Sequence, residues 1–141
     1  MTLTLAMARE IIAAGEAMAT KIGQPMNIAV VDGGGNLVAH VRMDGAWIGS
    51  IDIAINKAYT SRAFDISTKE LGEKSQPGED FYGIQVAERG RVMIFAGGIP
   101  LKDPSGIVVG AVGVSGGVGK QDQKVAEAAA GAFEARQSRA A

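Results

Sequence analysis

The stretch GVSGGVGKQDQKVAEAAA, from Gly113 to Ala130, sets a lysine after a glycine cluster and ahead of a charged, alanine-rich run. Such parts hold phosphates when they follow the pattern Gly, four residues, Gly-Lys-Ser/Thr. Here the first position is Val114, and Gln121 after Lys120 has no hydroxyl for magnesium, so a nucleoside-triphosphate loop is excluded. What survives is a set of backbone amides at a helix start, with the Ser115 hydroxyl beside them, suited to a small carboxylate. The competing reading is that these glycines only permit a tight strand-to-helix turn. A second able set lies earlier in the chain. Lys57 and Thr60 share a helical stripe, and Lys57 is a cation suited to a carboxylate. Asp44 either orients Lys57 or caps the helix that follows. The acidic pair Glu79-Asp80 sits in a loop-like stretch, where solvated charge is the plain reading.

Other chemistries are poorly supplied. There is no cysteine, which excludes disulfides, thiolate metal sites and cysteine nucleophiles, and there is one histidine, His40. By strand alternation His40 shares a face with Val38 and Arg42, opposite Ala39, Val41 and Met43. If the latter set faces the core, His40 points to solvent or to a neighbouring subunit. Met7, Met18, Met26 and Met93 read as core filling, while Tyr59 and Tyr82 are candidate pocket residues. VVDGGGN lacks the G-x-G-x-x-G spacing of a dinucleotide fingerprint and is followed by a strand-like run.

The bulk properties bound the class. At 141 residues, 47% apolar and 21% charged, the chain reads as one globular domain over residues 1–141. A net charge of −1 gives no electrostatic case for nucleic acid or an anionic membrane. The first segment carries Arg9 and Glu10 among its apolar residues, which predicts no signal peptide; no apolar run approaches the roughly 20 residues of a bilayer span, and the absence of cysteine is compatible with the cytoplasmic location expected.

The elements that must position these residues follow from periodicity. Ala8, Ile11, Ile12, Gly15, Met18, Ala19 and Ile22 form one face of a helix, with Thr4 as N-cap and Gly23 as its end. MNIAVVD and NLVAHVRM make a hairpin around Gly33–Gly35. From the Asp44-Gly45 turn a helix runs with Trp47, Ile48, Ile51, Ala54, Ile55, Ala58 and Arg62 on its mainly apolar face. A second stripe holds Ser50, Ile53, Lys57, Thr60 and Phe64. A short helix spans about Thr68–Leu71, and FYGIQVAERG makes one or two helical turns. RVMIFAGGIPL and IVVGAVGVS are strands joined by the KDPSG turn. A last helix, about Lys120 to Arg136, turns Val125, Ala128, Ala129, Ala132 and Phe133 inward. The order α-β-β-α-(α-α)-β-β-α, with hairpin-linked strands, predicts an α+β domain whose sheet is mainly antiparallel.

Four segments together, VVDGGGNLVAHVRMDGA, SIDIAINKAYTSRAF, FAGGIPL and IVVGAVGVSGGVGKQDQKVAEAA, resemble the HbpS/GlcG family, which includes the C-terminal domain of PduO-type proteins. The resemblance runs from about Leu3 to Phe133. It implies a profilin-like α-β-α sandwich around an antiparallel sheet, and homo-oligomers from dimers up to octamers. The motif positions it carries over are Met43, Asp44 and Gly45; Lys57 and Thr60; Gly97 and Gly98; and Ser115, Gly116 and Gly117. These gather, by resemblance, around a cleft near a subunit interface. Haem and corrinoids are ligands within the family, but haem-binding relatives use an axial histidine, and His40 matches no such position.

Three functions are expected on this basis. The first is an oligomeric small-molecule-binding protein holding a carboxylate-bearing metabolite or a tetrapyrrole. The second is an enzyme doing acid–base or lyase chemistry next to a carbonyl, with Lys57 as its key residue and Asp44 beside it. The third is a non-catalytic accessory subunit.

Overall fold

The computed structural model describes residues 1–140. Helix α1 (Leu5–Ile22) is started by the Thr4 hydroxyl, which accepts from the Met7 amide, and is ended by Gly23 at φ 72°. Its buried stripe is Ala8, Ile11, Ile12, Gly15 and Ala19. Strands β1 (Asn27–Asp32) and β2 (Leu37–Arg42) pair through the glycine turn, where the Asp32 carboxylate accepts from the amides of Gly34 and Asn36. Helix α2 (Gly49–Phe64) and helix α3 (Thr68–Lys74) follow. A 3₁₀ turn (Ile84–Val86) leads into α4 (Ala87–Gly90), a bend with Glu88 and Arg89 in the left-handed region. Strands β3 (Gly98–Lys102) and β4 (Val108–Ser115) form the second hairpin, and α5 (Gly119–Ala140) closes the chain.

The two hairpins join through their inner strands, giving the order β2-β1-β4-β3 with every neighbouring pair antiparallel. Helices α1 and α5 pack together over one face, where Ile28, Val30, Val112 and Val114 meet Ile11, Ile12, Val125 and Phe133. Helix α2 lies on the other face, where Ala58 meets Val31 and Ala111. The result is a three-layer α-β-α sandwich. No helix among the described residues is long and apolar enough to cross a membrane.

Helix α2 departs from the expected amphipathic pattern. Trp47 and Ile48 precede the helix and are 63% and 74% exposed, whereas Ser50, Ala54, Asn56, Lys57, Ala58, Thr60 and Ser61 are buried. The reason is the closeness of the contact. A Cβ at Gly113 of β4 would overlap the Ala54 carbonyl and stand 2.5 Å from the Ala58 nitrogen. Only small residues fit a helix seated that low on a sheet, so the large apolar side chains are displaced to its flanks.

Three further expectations are corrected. The strand expected from Arg91 begins only at Gly98, because 91–96 runs alongside α2, where the Met93 amide donates to Thr60 Oγ1. On α5, Ala126 and Ala130 are buried while Ala128 and Ala132 are only partly so, since the helix is covered by both α1 and the sheet. Of the methionines read as core, Met26 is fully buried; Met7, Met18 and Met93 are half-buried.

Candidate functional site

Lys57 is among the largest fully buried side chains and, at 1% exposure, carries a charge. Burying an ammonium is tolerated only with a counter-charge and hydrogen bonds. Its Nζ donates to the Val114 carbonyl at 2.8 Å and to Asp122 Oδ2 at 3.0 Å. Asp122 comes from the first turn of α5, and its other oxygen accepts from the Gly117 amide at 2.9 Å. One carboxylate therefore ties the middle helix, the end of β4 and the last helix together. Burial pulls Lys57 below its ordinary value against the pull of Asp122, and raises Asp122 against the pull of Lys57 and of the Gly117 and Gly116 amides. Desolvation thus moves both groups toward their neutral forms.

Gly97 is shaped by this pair. Its φ is +124°, and a Cβ there would run into the Val114 carbonyl and stand 2.9 Å from Lys57 Nζ. Glycine is required on both counts.

A cleft of about 410 Å³ opens over the pair. Lys57, Asp122, Ser50 and Ser115 line it, with Ser115 Oγ donating to Ser50 Oγ at 3.1 Å. Gly49, Gly117 and Gly119 contribute backbone, and Trp47, Ile53 and Phe95 form the apolar wall. Trp47 and Phe95 are 63% and 56% exposed.

Of the residues singled out in the sequence, Lys57, Ser115 and Gly117 line this cleft, and Gly97 abuts Lys57. Gly98 and Gly116 serve packing: a Cβ on Gly98 would stand 2.6 Å from the Lys57 carbonyl, and one on Gly116 2.6 Å from the Pro25 carbonyl. Thr60 is buried and accepts from the Met93 amide. Met43 packs partly against the main core. Asp44 and Gly45 are exposed in a turn outside the cleft lining. Asp44 neither orients Lys57 nor caps α2, whose N-cap is Ile48 without a side-chain bond. Tyr82 is 66% exposed and away from the lining, and Tyr59 bonds Glu88 at 2.7 Å beneath the Arg91 guanidinium. Glu79 and Asp80 are exposed.

The glycine amides expected to receive an external anion are largely engaged from within. The Gly117 amide donates to Asp122, that of Val118 to Gln121, that of Gly97 to Gln123 and that of Gly98 to Thr68. Asp122, the counter-ion, was missed in the sequence. Its signal was an acid in the first turn of the helix that follows the glycine bend, where a carboxylate meets unpaired amides and the positive end of the helix dipole.

His40 is half-buried on the α2 side of the sheet, where its Nε2 is 2.9 Å from Asn27 Oδ1. The Asn27 amide nitrogen donates to the Trp47 carbonyl, so Asn27 Oδ1 accepts from His40. Burial, aided by Arg42, lowers the His40 pKa.

Known proteins are similar in sequence and share this architecture. A 15.0 kDa protein of the dhaT-dhaS intergenic region of Citrobacter freundii is 45% identical over 132 residues, covering 94% of this chain and 92% of that one. The corrinoid adenosyltransferase PduO of the same organism is 33% identical over 136 residues; 96% of this chain is covered, but only 40% of PduO. The crystal structure of the PduOC:heme complex superposes with a TM-score of 0.89 at 32% identity, covering 94% of this chain and 95% of that one. The model of the haem degrading protein HbpS-like family matches residues 3–131, and the chain belongs to that family.

Proposed function

We propose that the protein is a homo-oligomeric small-molecule-binding protein, taking a carboxylate-bearing metabolite or a tetrapyrrole in the cleft over Lys57. The observation that carries this reading is a buried, hydrogen-bonded polar floor of Lys57, Asp122, Ser50 and Ser115 beneath an exposed apolar wall of Trp47 and Phe95. Ligand pockets combine apolar walls with a few fixed polar groups in this way. The exposed Trp47, Ile48, Phe95 and Val118 support a second copy packing nearby. The haem held by PduOC supports the tetrapyrrole class.

The residues fit a tetrapyrrole only in part. Trp47, Ile53 and Phe95 suit the ring, and the Ser50 and Ser115 hydroxyls suit its acid groups. The lining contains no histidine, methionine, cysteine or tyrosine, and His40 Nε2 is engaged by Asn27. The cleft of one chain therefore offers none of the usual axial ligands to haem iron or corrinoid cobalt, its Lys57 and Asp122 being tied to each other.

Titrating haemin while following the Soret band and the fluorescence of Trp47, the single tryptophan, tests the reading. Binding is expected to quench Trp47, to weaken in Phe95→Ala and to be unchanged in His40→Ala. Unquenched Trp47, together with no thermal shift from a carboxylate panel, overturns it in favour of an accessory subunit.

A second reading is proton transfer next to a carbonyl, favoured by the opposed pKa shifts of Lys57 and Asp122 at the cleft floor. It requires Lys57→Ala to abolish turnover of a candidate substrate while the protein stays folded.

A further inference from the structure

A second cleft, of about 570 Å³, lies on the other side of Gly119 and is lined by Lys69 of α3, Lys120 and Lys124 of α5, Gln123 and Glu127. Its size falls within the usual range for small-ligand sites, roughly 300–1,000 Å³. Three ammonium groups against one carboxylate leave the lining with a surplus of positive charge.

That surplus is not spent inside the protein. Among the described residues the ion pairs are Lys57–Asp122, Arg62–Asp65, Lys74–Glu70 and Arg136–Glu10, and none includes these three lysines. Their placement also works against the helix that carries two of them. Lys120 stands in the first turn of α5, at the positive end of its dipole, and Lys124 follows at i+4, where like charges repel. The acid of that first turn, Asp122, is committed to Lys57 and to the Gly117 amide. Lys69 then adds a third cation from a separate helix. Local rules broken without internal compensation are typical of binding sites.

We infer that this cleft is a site for a dianionic oxyacid group, either a phosphate monoester or a pair of neighbouring carboxylates. Lysines act as point charges on long stems and suit both chemistries. The inference goes beyond the Lys57 cleft: a bare anion needs no apolar wall, so this site stands or falls separately.

Titration of the isotope-labelled protein with inorganic phosphate, and separately with malonate, tests it by amide shifts. Chloride at matched ionic strength is the reference. At least one dianion is expected to give saturable shifts centred on Lys69 and 119–124. The Lys120→Gln/Lys124→Gln variant should bind about tenfold more weakly or worse, the effect of losing charge-assisted contacts. Lys69→Gln should weaken binding in the same direction from the opposite wall, and circular dichroism should show both variants folded. A response to phosphate alone assigns a phosphate ester, a response to malonate alone assigns paired carboxylates, and a response to both assigns their shared charge. No saturable shift beyond chloride, or unchanged affinity in both variants, overturns the site.

Discussion

Lys57 Nζ and Asp122 Oδ2 stand 3.0 Å apart with side chains only 2% and 6% exposed, although 65 residues separate them in the chain. A charge sealed this way holds its neighbours in place only while its partner is present. Lys57→Met or Asp122→Ala alone is expected to cost about 3–5 kcal/mol, the usual penalty for orphaning a buried charge. The double variant should lose less than the two single losses combined. Urea unfolding of all four proteins measures the coupling, and simple additivity would contradict it.

The pair also sets two pH dependences. Asp122 is raised in the folded state, so its contribution is full below its unfolded value and is lost as pH rises through the folded one. The stability of the wild type relative to Asp122→Asn should therefore decline as pH rises above about 4. Lys57 is lowered, so its contribution is present above its unfolded value and lost as pH falls through the folded one. Relative to Lys57→Met, the wild type should gain as pH rises toward about 10. Unfolding free energies across both windows, with slopes of the opposite sign, would reject these directions.

Two glycine substitutions should move stability in opposite directions. Gly113→Ala drives a methyl into the Ala54 carbonyl and should destabilise by about 2 kcal/mol or more, or prevent folding. Gly131→Ala, inside α5 with open space around its would-be Cβ, should stabilise by up to about 1 kcal/mol. Thermal melts distinguish the two in one experiment.

His40 should titrate below its ordinary value of 6.5, because burial and Arg42 both disfavour its charged form. Replacing Arg42 with glutamine should raise that pKa by removing one of the two causes. Ring-proton shifts followed against pH report it directly.

The residue pattern by itself determined the element order, the hairpins and the α1 face. These are local matters: Thr4 and Gly23 as caps, the glycine turn between β1 and β2, the spacing of Ile11, Ile12 and Ala19. It also marked Lys57 and Ser115 as able groups, because a lysine on a mixed stripe and a hydroxyl at a glycine bend stand out from their surroundings. The tertiary structure decided what these groups meet. The pairing of Lys57 with Asp122 rather than Asp44, and the burial of α2 through its small residues rather than Trp47 and Ile48, depend on how closely a helix can approach Gly113 across the sheet. Contacts over such separations follow from packing geometry, which periodicity along one element does not carry.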